Sequence, residues 1–320
     1  MSTKRLRTDQ PPTTNHQPPN YHISLFSTLR TYLQLARPAN VVTAWADVLA
    51  GSAAAGAVAL VQPVYGEAGS LPWLLLATTG LYSGGVILND VFDAKLDATE
   101  RPERPIPSGR IPRHRAALFG TLMLLIGIWG GFRSSLEAGL IAVSIALLAT
   151  VYDAWAKHHI LAGPLAMGLC RAGNLLLGVA YIPALLPSLW YLGAIPIVYI
   201  GAITLISQQE VEGGNRTTAW LALALVAITF AGLPFLATNT PFWQWLPFWL
   251  GWGLFVGRAF FQAAQHPTPQ RVMKAVKTGV IGLIPLNAAL AALFVGWIAG
   301  LIVLVLLPIS IGLARLFAVT

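Results

Sequence analysis

Residues 88–112, L-N-D-V-F-D-A-K-L-D-A-T-E-R-P-E-R-P-I-P-S-G-R-I-P, hold the densest chemistry in the chain. Asp90, Asp93 and Asp97 are spaced three and four apart, which places them on one face of a helix. Like charges at that spacing repel, so the arrangement calls for a cation to bridge them. An oxygen-only donor set suits Mg²⁺, which keeps waters and takes one or two carboxylates together with substrate phosphate. Asn89 adds a neutral oxygen beside them. The same run continues into Arg101 and Arg104, and Arg suits a polyanionic phosphate group. Carboxylates for a metal and cations for a phosphate in one stretch point to a lipid diphosphate.

A second cluster is L-I-S-Q-Q-E-V-E-G-G-N-R, residues 205–216. Glu210 and Glu212 are candidate ligands for a second Mg²⁺, directly or through water, with Gln208, Gln209 and Asn215 as neutral partners. A plain loop explains this segment almost as well. A third group lies in residues 152–178, with Tyr152, Asp153 and Lys157 at its start and Arg171 and Asn174 deeper in. An Arg inside an apolar segment is costly unless it faces a polar cavity or a partner. Asp153 is the partner expected here, and a base for an acceptor is its other reading. Arg171 and Asn174 are alternatively contacts to a diphosphate or an acceptor. Asn40 is a cavity residue or a helix-packing hydrogen bond, and Asp47 must face the interior.

These residues need elements to hold them, and composition says which kind. Of 320 residues, 56% are hydrophobic and 10% charged, against about 25% charged in an ordinary soluble domain. Mean hydropathy is +0.66. A soluble globular enzyme, a disordered chain and a disulfide scaffold are excluded, which leaves a polytopic all-α membrane protein. Cys170 is the only cysteine, so no intramolecular disulfide or Cys-based metal site can form. The formal charge of +8 reads as membrane-topology bias rather than as a nucleic-acid surface.

Ten apolar stretches are candidate spans, at roughly 40–61, 71–90, 115–132, 136–153, 163–184, 188–207, 218–237, 243–263, 275–296 and 299–318. Residues 1–22 are polar and Pro-rich and read as a disordered cytoplasmic tail, with a single transmembrane domain over 23–320. Residues 23–38 look like an amphipathic helix at the membrane surface. With the N-terminus in the cytoplasm, every Lys and Arg except Arg133 and Arg171 falls on the inner side. Four spans separate the two acidic clusters, so both face that side. No transit-like segment is evident, which favours a bacterial inner membrane.

N-D-x-x-D-x-x-x-D followed by E-R-P-x-R-P-I-P-S-G resembles the UbiA superfamily of intramembrane prenyltransferases. Three further stretches look like family motifs: R-P-x-N at Arg37, Pro38 and Asn40; Y-x-x-x-x-K at Tyr152 and Lys157; and K-A-V-K-T-G-V-I-G-L-I-P-L-N over 274–287. The likeness runs from about residue 30 onward. It implies nine transmembrane helices around a central cavity, with a tenth added here at the C-terminus. It also implies a prenyl diphosphate bound through Mg²⁺ between two Asp-rich motifs. Carried over, Asn89, Asp90, Asp93 and Asp97 hold one Mg²⁺, Arg104 and Lys157 hold the diphosphate, and Asn40 lines the cavity.

The second motif departs from the family pattern. Ser207 stands where the first Asp is usual, Glu210 replaces the next, and Asn215 falls near the last. This altered motif and M-G-L-C-R-x-x-N-L-L-L-G look most like the UbiA-like proteins of ebo gene clusters. The expected function is Mg²⁺-dependent transfer of a prenyl group from an allylic diphosphate to a small acceptor, aromatic or otherwise, within the membrane. The alternative is a non-catalytic isoprenoid-binding or transport component that keeps the fold. A change at Asp90 or Asp93 separates the two.

Overall fold

A computed structural model describes residues 25–56, 70–159, 161–207, 215–237 and 240–317. The helices run α1 (Leu25–Ala36), α2 (Pro38–Ala54), α3 (Leu71–Phe92), α4 (Ala94–Glu100), α5 (Arg113–Ser134), α6 (Leu136–Ala154), α7 (Ala162–Val179) and α8 (Leu186–Leu189). They continue as α9 (Ala194–Ser207), α10 (Arg216–Gly232), α11 (Phe242–Gln265), α12 (Pro269–Ile281), α13 (Leu283–Val295), α14 (Trp297–Leu304) and α15 (Leu306–Phe317). Single-turn 3₁₀ segments join several of them, and no strand occurs among the described residues. This is the architecture a bilayer demands, because a helix satisfies its own backbone where no water is available. The expectations for residues 1–22 and for Gln208, Gln209, Glu210 and Glu212 lie outside the described residues.

Eight segments among the described residues are long and apolar enough to cross a membrane by length and composition. They coincide with eight of the ten anticipated spans. The other two positions are filled by the 17-residue α2 and by α11, whose many Trp residues lower its hydropathy. The last two spans meet at Gly296, whose φ of 101° lets one residue reverse the chain. The helix ends are marked locally: Ser135 accepts from the Ala138 amide to start α6, and Thr268 accepts from the Arg271 amide to start α12.

Helices α2, α3, α6, α7 and α13 frame the site. Helix α2 packs on α7, α13 and α15, while α3 lies against α5 and α6. The α2–α7 contact is unusually close. A Cβ on Gly51 would meet the Leu175 carbonyl, and one on Gly178 would meet the Val48 carbonyl. Small residues that let backbones touch are the main packing device where lipid removes the hydrophobic drive between helices. Here they bring side chains of α2 and α7 into direct reach of each other. Helix α1 is amphipathic, as expected; Leu35 is buried and Tyr32 meets Phe119 of α5 edge-on at 5.1 Å.

Candidate active site

Helix α3 is interrupted at Asp93, which ends it and begins α4. The amide of Asp93 still donates to the Asn89 carbonyl and that of Asp97 to the Asp93 carbonyl. The helical register therefore carries through the break, and Asp90, Asp93 and Asp97 stay on one face as anticipated. Asp90 and Asp97 are buried although charged, at 4% and 3% exposure.

Each carboxylate has a cation. Arg37 Nη2 lies 2.6 Å from Asp90 Oδ1. Arg104 Nη1 is shared, at 3.3 Å from Asp90 Oδ1 and 2.8 Å from Asp97 Oδ2. Lys157 Nζ reaches Asp93 Oδ1 at 2.6 Å, from the 3₁₀ turn that follows α6. The loop 101–112 that carries Arg104 is tied down by Arg110, which donates to Gln34 Oε1 and the Glu103 carbonyl, and by Arg113, which donates to the Val91 carbonyl. Arg101 is exposed.

The donor set suits Mg²⁺. It is made of oxygens only, two of its carboxylates converge on one Arg104 nitrogen, and the cations beside them are of the kind that binds phosphate oxygens. No group of three or more metal-ligating side chains meets at one point among the described residues. Mg²⁺ does not need one, since it completes its shell with waters and phosphate.

Below this cluster lies a cavity of about 310 Å³, lined by α3, α6, α7 and Arg37. Arg37, Asn89, Tyr152 and Asp153 form its mouth, and Leu81, Val86, Ile145, Ala149 and Met167 supply apolar walls. Asn89 Nδ2 donates to Asp153 Oδ1 at 2.7 Å. Asp153 is thus bonded to Asn89 and not to Arg171, which corrects the expected pairing. The physical reason is depth: Asp153 sits at the end of α6, whereas Arg171 lies about 13 Å along α7 from Ala162.

The partner of Arg171 is Asp47, at an equal depth along α2. Nη1 donates to Asp47 Oδ2 at 2.7 Å and Nη2 to Thr43 Oγ1 at 2.8 Å. Asn174 donates to the same Asp47 oxygen at 3.0 Å and to the Ala44 carbonyl, and accepts from Thr78. Asn287 of α13 donates to Asp47 Oδ1 at 2.7 Å. The Arg171 guanidinium lies 5.0 Å from the centre of the Tyr82 ring. Arg171, Asn174 and Tyr82 also line the cavity, as its polar floor.

The remaining candidates are placed as follows. Asn40 is half-buried near the start of α2, where its carbonyl accepts from Thr43, and the cavity lining described above does not include it. Asn215 caps α10 by accepting from the Thr217 amide. Ser207 turns its hydroxyl back to the Thr204 carbonyl of its own helix. Tyr82, Thr43, Thr78 and Asn287 were not singled out from sequence as site residues. Only Asn287 had a signal, as the last residue of the 274–287 pattern.

Residues 49–279 match the model of the UbiA prenyltransferase family. The chain belongs to that family. It is 30% identical over 240 residues to the digeranylgeranylglyceryl phosphate synthase of Methanoregula boonei, covering 68% of this chain and 78% of that protein. The synthase of the same name from Ignicoccus hospitalis is 29% identical over 191 residues, covering 58% of each. Among solved structures, one of a digeranylgeranylglyceryl phosphate synthase in membranes aligns with a TM-score of 0.62 at 20% identity, covering 84% of this chain and 99% of that chain. A UbiA homolog from Archaeoglobus fulgidus bound to GPP and Mg²⁺ aligns with a TM-score of 0.54 at 15% identity, covering 86% and 99%. At those identities the structures establish the UbiA fold and no more. The relatives support the UbiA family without singling out the proteins of ebo clusters.

Proposed function

We propose that this prenyltransferase moves a prenyl group from an allylic diphosphate, bound with Mg²⁺ at the cavity mouth, to a small acceptor inside the membrane. The observation that carries this reading is the placement of Asp90, Asp93 and Asp97, each against a cation, above an apolar-walled cavity. Relatives bound to GPP or DMAPP with Mg²⁺ support it.

Arg37, Arg104 and Lys157 bind the diphosphate and take the negative charge that grows on it as the allylic C–O bond breaks. When bound, Mg²⁺ neutralises the diphosphate and helps it depart. The electron pair of that bond leaves with the diphosphate. The apolar walls keep water from the allylic cation. The acceptor's carbon or oxygen forms the new bond to the prenyl carbon, and Asp153 receives the proton released. Asn89 holds Asp153 in place for this task.

The distribution of Lys and Arg supports a cytoplasmic N-terminus and a cytoplasmic mouth, and a bacterial inner membrane fits the sequence. The finer likeness to ebo-cluster proteins rests on the altered 207–215 segment and on M-G-L-C-R-x-x-N. The names of the curated relatives suggest a glycerol phosphate acceptor, which stands beside the aromatic one expected from sequence. The inward-turned Ser207 hydroxyl, in place of a carboxylate, favours a second reading: a non-catalytic isoprenoid-binding component.

The deciding experiment is turnover of the full chain in lipid with geranyl, farnesyl and geranylgeranyl diphosphates and a cell extract as acceptor source. Labelled lipid and released diphosphate are followed with Mg²⁺, with EDTA and with Asp93→Ala. Product that needs both Mg²⁺ and Asp93 supports transfer. Diphosphate binding without product in every extract supports the second reading.

A further inference from the structure

The cavity is polar at both ends. Its mouth serves the diphosphate, but its floor of Arg171, Asn174 and Tyr82 has no part in that chemistry. Tyr82 and Asn89 stand two turns apart on α3, about 10 Å along its axis. A hydrogen bond of about 3 Å to the floor leaves the length of a small molecule between floor and reacting carbon.

The floor is a poor choice if it is only structural. An ion pair this deep is no more stabilising than well-packed apolar residues of the same volume. Yet Asp47 is 2% exposed and Arg171 6%, and two other helices, α3 and α13, join the network through Thr78 and Asn287, with Thr43 of α2 completing it. Both Asn174 N–H groups are spent on Asp47 and the Ala44 carbonyl, and the network holds the Arg171 guanidinium rigidly at the edge of an open space. That is the construction of a binding site: donors fixed by a second layer of hydrogen bonds.

Charge says what binds there. The positive charge of Arg171 is matched by Asp47 at 2.7 Å. The floor therefore offers N–H donors without net charge. A carboxylate or phosphate placed on it would be an uncompensated anion at membrane depth, which is expensive. An uncharged oxygen accepts the same hydrogen bonds without that cost.

We propose that Arg171 forms the acceptor's subsite and that the acceptor is uncharged, presenting a carbonyl or hydroxyl oxygen to the guanidinium N–H groups that Asp47 and Thr43 do not take. Asp47, Asn174 and Asn287 are positioning residues, which act by aiming that guanidinium. The inference rests on the prenyl-transfer reading and narrows it: a glycerol phosphate acceptor does not suit this floor, whereas a neutral phenol or quinol does.

The test is equilibrium binding to the full chain in lipid nanodiscs, loaded with Mg²⁺ and geranylgeranyl thiodiphosphate as a non-reacting donor. The probes are para-hydroxyacetophenone, para-hydroxybenzoate and a prenylated glycerol phosphate. The first two differ mainly in charge. The neutral ketone is expected to bind about tenfold more tightly than either anion, and Arg171→Met to weaken the ketone by about tenfold while the thiodiphosphate Kd holds. Asp47→Asn leaves Arg171 with a net charge, so it should reverse the ranking toward para-hydroxybenzoate. Misfolding cannot mimic that gain. An anion preferred by the unaltered chain, an Asp47→Asn variant with unchanged ranking, or no probe bound at all overturns the proposal. Failure of the thiodiphosphate itself to bind with Mg²⁺ instead overturns the prenyl-transfer reading beneath it.

Discussion

Arg37 reaches Asp90 at 2.6 Å from a backbone in the left-handed region, with φ 48° and ψ 64°. It is the only non-glycine residue with positive φ among the described residues, and Pro38 follows it. A left-handed conformation costs an L-residue about 1–2 kcal/mol, and the residue before proline ordinarily favours extended geometry. Such strain persists where the surroundings hold it, and it concentrates at functional sites. Here it turns the chain between α1 and α2 and delivers a guanidinium to the cavity mouth.

Two substitutions at this position separate backbone from side chain. Both Arg37→Ala and Arg37→Gly remove the cation and should raise the KM for the prenyl diphosphate together. Only glycine tolerates the left-handed backbone freely. Arg37→Gly should therefore be more stable than Arg37→Ala by about 1 kcal/mol, read from thermal unfolding in detergent. Equal stabilities would show that the turn relaxes at no cost.

Metal dependence should follow the carboxylates. Chelation with EDTA is expected to stop transfer, and added Mg²⁺ to restore it. Asp90→Ala leaves Arg37 and Arg104 without their shared partner and removes a proposed Mg²⁺ ligand, so turnover should fall roughly 100-fold or more, the scale on which losing one preorganised electrostatic group acts. Asp97→Ala leaves Arg104 its bond to Asp90 and should cost less. A steady-state assay of both variants across a Mg²⁺ titration checks the order.

Much of this could be read without coordinates, for identifiable reasons. Span positions follow from runs of apolar residues, which a bilayer makes obligatory. The grouping of Asp90, Asp93 and Asp97 follows from helical spacing, which survives the break at Asp93. The Asp47–Arg171 pair was not legible, because 124 residues separate its members and no local rule joins them. Asp153 was nearer to Arg171 in sequence but sits at the wrong depth. Equal depth along two adjacent helices was the available clue, and it needed knowledge that α2 and α7 are neighbours. Asn287, 240 residues from Asp47, offered even less.

The α2–α7 contact makes a second, independent claim on stability. A methyl group at Gly178 meets the Val48 carbonyl, which is backbone and cannot rotate aside. Gly178→Ala should force the helices apart at a cost of about 1–3 kcal/mol. The same shift lengthens the Asp47–Arg171 contact that spans this interface, so acceptor KM should rise with the loss of stability. Gly201, with nothing within 4 Å of an added Cβ, is the control; Gly201→Ala should leave melting temperature and kinetics within error.

The ion pair itself is open to a double-mutant cycle. Asp47→Leu strands the Arg171 guanidinium in a buried site and leaves the Asn174 and Asn287 amides without their common acceptor. Breaking one side of a buried pair costs about 3–5 kcal/mol, and lipid offers the stranded charge no water. Arg171→Met alone should cost less than Asp47→Leu, because Asn174 and Asn287 still donate to the Asp47 carboxylate. With both residues apolar, no charge is stranded, and the double variant should recover most of the lost stability, measured as thermal or chaotrope-driven unfolding in the same detergent. Stability that recovers while acceptor binding stays lost would assign the pair to the site rather than to the fold. A double variant no more stable than Asp47→Leu alone would instead place its worth in holding α2, α7 and α13 together.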